Sequence, residues 1–185
     1  MLDNLVNLIK QNAGDEIINN PAIPNDRNEE AVKETSDSII GTLQNSLSGG
    51  NFNDVIKMFS QGQADNNSPV VQQAAGDLTG RLQNKFGLGQ QQASGLAGGL
   101  VTKILNQFAG KTADPNDNDF NAQDIFNQLS GGKTSGMNIP SLLSKFKGGL
   151  DKDGDGDVDM QDLKSLFAGG GAGGAIMDKV KGMFN

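Results

Sequence analysis

Acidic side chains stand at alternate positions in the segment DKDGDGDVDMQD, which runs from residue 151 to residue 162. Its six aspartates are Asp151, Asp153, Asp155, Asp157, Asp159 and Asp162. Carboxylate and carbonyl oxygens are the ligands of hard divalent cations, and calcium takes about six to eight of them. Because crowded like charges repel one another, the segment favours uptake of a counter-cation. The spacing therefore predicts a Ca²⁺ site, at which Mg²⁺ competes.

The order of residues within this segment narrows the kind of site. Gly156 stands sixth, where a tight loop needs a sharp turn, and Asp162 stands twelfth, where an acid closes the ligand shell. This order resembles the loop of EF-hand calcium-binding proteins. The resemblance implies side-chain ligands at the first, third and fifth positions, the backbone carbonyl of Asp157, contact through water from Asp159, and a core position for Val158. The alternative, a solvated acidic turn, does not explain why Gly156, Val158 and Asp162 occur together at these positions.

The last ligand of the loop bears on its affinity for metal. Asp162 stands where the commonest EF-hands have glutamate, and its side chain is one methylene shorter. Ligation through both carboxylate oxygens is therefore harder, so we expect weaker calcium binding or stronger competition by magnesium.

A second segment, residues 113–124, resembles this loop when the two are superimposed at Asp124 and Asp162. It keeps acids or amides at its later positions, but Ala113 and Pro115 replace the first and third ligands. EF-hands usually work in pairs, which predicts a degenerate partner loop with Phe120 opposite Val158. Alternatively, Asn121 caps a helix over residues 122–129.

Helical spacing of apolar residues dominates the rest of the chain and predicts an all-α fold. Helices are predicted over residues 2–18, 28–48, 53–59, 69–86, 90–109, 122–129 and 140–149. Ser68 and Pro69 mark a start, and Gly87 marks an end. The last of these helices would lead into the acidic loop, with Leu142, Leu143 and Phe146 directed inward.

The predicted organisation is an N-terminal helical bundle over residues 1–88 and an EF-hand pair over residues 89–168. A GGGAGG hinge at residues 169–174 and an amphipathic helix at 175–185 follow. The simpler interpretation makes this helix the last one of the core. Alternatively, it is a tethered ligand that docks on its own chain or reaches a second copy.

Residues 78–108, LTGRLQNKFGLGQQQASGLAGGLVTKILNQF, carry a second resemblance. A leucine-bearing helix, a glycine-rich turn and an Ala/Leu-rich helix are similar to the YidB-like family of bacterial proteins of unknown function. The resemblance implies a helical fold and no mechanism. The same arrangement suggests DNA recognition, but Arg81, Lys85 and Lys103 are too few for a basic face.

Composition weighs against several classes of function. The chain of 185 residues has no histidine and no cysteine, so the usual general base, the thiolate nucleophile and the common zinc ligands are missing. The formal net charge of −7 disfavours nucleic acid as a partner. No stretch is apolar enough for a signal peptide or a membrane span, so we expect a cytoplasmic protein.

Three functional hypotheses follow from these observations. The first is calcium binding that orders a small helical protein. The second is an interaction or assembly protein in which the metal loop is a structural clip, with a protein partner or self-association. The third, a hydrolase or transferase, lacks a carboxylate pair outside the loop.

Overall fold

The computed structural model describes residues 2–49, 51–114 and 116–147. Within these ranges all regular secondary structure is helical, which confirms the predicted all-α fold. The helices are α1 Leu2–Ala13, α2 Asn28–Ser48, α3 Phe52–Gln61, α4 Pro69–Phe86, α5 Gln90–Ala113, α6 Ala122–Leu129 and α7 Ile139–Lys147. None of the helices in these ranges is long and apolar enough to cross a membrane.

Local signals set several helix ends where the sequence predicts them. Helix α4 begins at Pro69 after Ser68, whose backbone is extended, and ends before Gly87. Gly87 has a φ of 69°, the left-handed conformation in which glycine carries no steric cost, and its N–H donates to the carbonyl of Gln83. Ser68 makes no side-chain cap bond, so proline and backbone geometry define this start.

The first helix differs from its prediction. Its α-helical part ends at Ala13, and residues Gly14–Ile18 continue as a π-helical turn. The wider turn buries Ile17 and leaves Ile18 48% exposed. Before the turn, Asn12 and Gln107 exchange side-chain amide hydrogen bonds of 2.9 and 2.8 Å, which join α1 to α5. The change of pitch begins at Gly14, where helix propensity is lowest.

Helix α5 runs four residues beyond its predicted end at residue 109. Gly110 does not stop the helix; it is exposed beside the end of α3, where a Cβ would meet the carbonyl oxygen of Gly62 at an ordinary contact distance of 3.4 Å. Gly62 itself has a φ of 66°. The hydroxyl of Thr112 donates to the carbonyl of Phe108 at 2.8 Å within the extra turn. A single glycine destabilises a helix by only about 1 kcal/mol relative to alanine, so it does not by itself end α5.

The core is one continuous cluster of buried side chains that extends from Leu5 in α1 to Leu143 in α7. Its members come from both sides of the predicted boundary at residue 88, and α4 and α5 pack along one another across that boundary. At one end the ring of Phe59 lies edge-to-face against Phe108 and Phe126, with both centroid distances 5.2 Å. These aromatic contacts join α3, α5 and α6.

Candidate functional site

The six aspartates of the predicted metal loop lie outside the described residues, as do Val158, the glycine hinge and the segment 175–185. The helix predicted to lead into the loop is described as α7, Ile139–Lys147, and its last described residue stands four residues before Asp151 in the sequence. Leu143 is buried, and Leu142 and Phe146 pack against the core, as predicted.

Helix α7 is held in place at its N-terminal end. Ile139 is fully buried, and its N–H donates to the side-chain oxygen of Gln123 in α6 at 3.0 Å. The side chain of Asn138 accepts a hydrogen bond of 2.9 Å from the N–H of Ser141, as expected of an N-cap. This cap was not predicted, although asparagine two residues before Pro140 is a start signal. The helix that precedes the acidic loop is thus fixed to the core.

The degenerate segment 113–124 begins at the last residue of α5. The Asp117 carboxylate accepts a hydrogen bond of 3.1 Å from the N–H of Asp119 and lies 3.4 Å from the ammonium group of Lys111. The Asn121 side chain accepts from the N–H of Asp124 at 3.3 Å, which confirms the predicted cap of α6. Among the described residues, no three acidic, histidine or cysteine side chains lie close enough together to hold a metal ion.

Phe120, in the same segment, is turned into the core. Its ring lies 5.8 Å from that of Phe108, and the ammonium group of Lys111 lies 5.2 Å from its centroid. The pairing of Phe120 with Val158 stays a prediction, because Val158 is outside the described residues.

A cleft of about 420 Å³ opens beside this segment, between α3, the end of α5, the start of α6 and α7. We call it the α3/α7 cleft. Its volume is in the range of sites that take a small ligand or a few side chains. Its apolar lining consists of Phe59, Ala113, Phe120, Ala122, Pro140 and Leu143. Its acidic lining residues are Asp114 and Asp117.

The basic residues considered for DNA recognition have acidic neighbours. Arg81 donates to the Glu34 carboxylate at 2.9 Å and also pairs with Asp77. Lys85 bonds the second oxygen of Glu34, and Lys103 lies 3.4 Å from Glu16. These cations therefore take part in ion pairs that join or brace helices.

Glu34 is the charged group at the centre of this network, and its side chain is only 3% exposed. Burial raises the pKa of its carboxyl, but hydrogen bonds from Lys85 and Arg81 oppose burial and hold the pKa below its ordinary value. Its stabilising contribution is therefore complete above the pKa of glutamate in the unfolded chain, about 4.3. It is lost as the pH falls through the lower pKa of the folded state.

We expect Glu34→Gln to reduce the free energy of unfolding by about 1–3 kcal/mol at pH 7, because two cations lose their buried acceptor. The difference from the parent should shrink as the pH falls through the lowered pKa of folded Glu34, because the carboxyl is then protonated in both the folded and the unfolded state. Urea unfolding at pH 7 and at a series of lower pH values measures this, with Glu29→Gln on the exposed face of the same helix as control. A difference that stays undiminished down to the lowest pH at which the parent folds would contradict the assigned ionisation.

Comparison of the chain with models of protein families, with curated proteins and with solved structures finds no match. The resemblances to EF-hand loops and to the YidB-like family therefore stay predictions from the sequence.

Proposed function

We propose that this chain binds one calcium ion through residues 151–162. The observation that carries the proposal is the arrangement of six aspartates around Gly156, with an acid at the twelfth position. Asp151, Asp153 and Asp155 supply side-chain oxygens on this proposal, and Asp162 completes the shell. Asp157 contributes its carbonyl oxygen, and Asp159 contacts the ion through water.

The anchoring of α7 supports this proposal from the described part of the chain. A loop that gathers oxygens around one ion benefits when one of its ends is fixed, because less conformational entropy is lost on binding. Ile139 and Leu143 are buried and fix the preceding helix to the core, and Lys147, the last described residue, stands four residues before the first proposed ligand in the sequence. The metal would then be linked to the helical body through a short connection.

Calcium binding on this proposal orders the loop and stabilises the helical body, since a ligand that binds only the folded state shifts the unfolding equilibrium. The alternative role is that of a structural clip in an interaction or assembly protein. That role predicts partner binding or self-association that persists in chelator. Size-exclusion chromatography with light scattering, run in calcium and in EDTA, distinguishes the two roles by showing whether self-association persists in chelator.

Isothermal titration with Ca²⁺ and with Mg²⁺ tests the proposed site directly. We expect one calcium ion per chain, and we expect Asp151→Ala to weaken calcium binding by at least about tenfold, because a charged oxygen ligand is lost. Asp26→Ala is the matched control, since Asp26 is exposed and the substitution changes the net charge equally. Absence of uptake of both ions at millimolar concentration would refute the proposal. Two calcium ions per chain would show that residues 113–124 also bind.

A further inference from the structure

We propose that the α3/α7 cleft is the docking site of the chain's own segment 175–185. The cleft is apolar and has an acidic border. The segment 175–185 carries apolar and basic residues that suit it, and it follows α7, one wall of the cleft, in the sequence. It does not rest on the proposed metal site, and it assigns a use to the segment that calcium binding leaves unexplained.

The floor of the cleft is apolar and comes from three separate parts of the fold. Phe59 from α3, Phe120 from the α5–α6 connection and Leu143 from α7 line it. These three side chains are already buried within the fold, and the accessible apolar surface beside them comes from Pro140, which is exposed, and Ala113, which is half-buried. Covering that accessible surface with apolar side chains releases water, which is worth about 25 cal/mol per Å² of apolar area.

The border of the cleft is acidic. Asp114 is exposed, and its carboxylate accepts hydrogen bonds from the backbone and the side chain of Asn116 at 2.9 and 3.2 Å. Asp117 is half-buried and has Lys111 as a neighbour at 3.4 Å. An occupant with apolar side chains flanked by cations therefore suits the cleft better than a neutral or acidic one.

The segment AIMDKVKGMFN has this chemistry. Ile176, Val180, Met183 and Phe184 fall within an arc of about 100° on a helical projection of 100° per residue. Lys179 projects to one side of that arc and Lys181 to the other. The spacing thus predicts an apolar stripe with a lysine at each border, complementary to an apolar floor with an acidic border.

The position of the cleft favours this segment over an occupant from solution. Leu143 and Ser144 of α7 line the cleft, and only residues 148–174 separate the end of α7 from the segment. These 27 residues can span up to about 90 Å when extended, so they can return the segment to the cleft. A tethered segment also meets its site at a higher effective concentration than a second copy at micromolar concentration.

The absence of cysteine from the chain permits a direct proximity test in the full-length protein. Cysteines replace Ser144 at the cleft and Met183 in the segment, and a control variant carries Asn84→Cys with Met183→Cys. Asn84 is exposed near the α4–α5 turn, whereas the cleft adjoins the other end of α5, a helix of 24 residues or about 36 Å. Circular dichroism first verifies that both variants keep the helix content of the parent.

We expect the Ser144→Cys/Met183→Cys chain to form an intramolecular disulfide at least about tenfold faster than the control, at a rate that dilution does not change. Equal rates in the two variants would overturn the proposal. Faster formation of a disulfide-linked dimer at higher protein concentration would also overturn it, and would assign the cleft to a second copy.

Fluorescence supplies a second measurement, because the chain contains no tryptophan and no tyrosine. The tryptophan of a Phe184→Trp variant should emit at shorter wavelength than in denaturant and should resist acrylamide quenching, in calcium and in EDTA alike. Adding Asp114→Lys should remove much of that protection, whereas adding Asp26→Lys should not. Emission equal to that of the unfolded chain would overturn the docking. Protection that persists in EDTA supports docking even if the metal proposal fails.

Discussion

Replacing Phe59 with alanine is expected to lower the free energy of unfolding by about 3–5 kcal/mol, the largest change that we predict for a single substitution. Phe59 is fully buried, and its ring makes edge-to-face contacts at 5.2 Å with both Phe108 and Phe126. Alanine would remove both aromatic contacts and leave a cavity that α3, α5 and α6 can close only by moving. Urea unfolding followed by circular dichroism measures the loss.

Phe52→Ala is the matched control on the same helix. Phe52 is only partly buried and packs against the edge of the core, with its ring centroid 6.5 Å from that of Phe126. The same side-chain truncation should therefore cost less than half as much. Equal losses in the two variants would contradict the central position of Phe59 in the core.

Saturating calcium is expected to raise the free energy of unfolding by about 2.7 kcal/mol at a free concentration one hundred times the dissociation constant. The reason is that, on the proposed function, the ion binds only the folded chain. For a chain of 185 residues, this corresponds to an increase in melting temperature of about 5–10 °C. Thermal unfolding at several calcium concentrations, with EDTA as the zero point, measures the increase.

Asp151→Ala, with calcium binding weakened by at least about tenfold, should remove at least about half of this stabilisation at the same calcium concentration while leaving the melting temperature in EDTA unchanged. The Asp26→Ala control should retain the full stabilisation by calcium. Calcium binding by titration without any thermal shift would show that the loop binds the ion independently of the helical body, contrary to the linkage through α7. Magnesium should stabilise measurably as well, because the shorter Asp162 disfavours ligation through two oxygens.

The two proposals meet at α7. Its first residue, Ile139, is hydrogen-bonded to Gln123 and buried. Its middle residues line the α3/α7 cleft, and its last described residue, Lys147, stands four residues before Asp151 in the sequence. Metal binding and docking of the segment 175–185 would therefore act on the same helix. The chelator arms of the fluorescence experiment separate the two effects.

Local signals in the sequence were sufficient for the helices themselves. Apolar residues at helical spacing predicted the all-α fold, and Pro69, Gly87 and Asn121 located helix ends, because these residues act through their own backbone or the adjacent turn. The acidic loop is likewise a local pattern, and its assignment rests on the sequence alone.

Tertiary structure decided the features that depend on residues far apart in the chain. The predicted helix over residues 90–109 stops before Gly110, but α5 continues through this glycine to Ala113. Arg81 and Lys85 are too few to predict a basic face from the sequence, and only the tertiary structure shows that Glu34, 47 and 51 residues away, pairs with both.

The α3/α7 cleft arises in the same way, since Phe59, Phe120 and Leu143 share no local pattern and meet only when α3 and α7 pack together. Helix propensity and the spacing of apolar residues depend on neighbours within one or two turns of a helix. Burial and ion pairing depend on how whole helices pack.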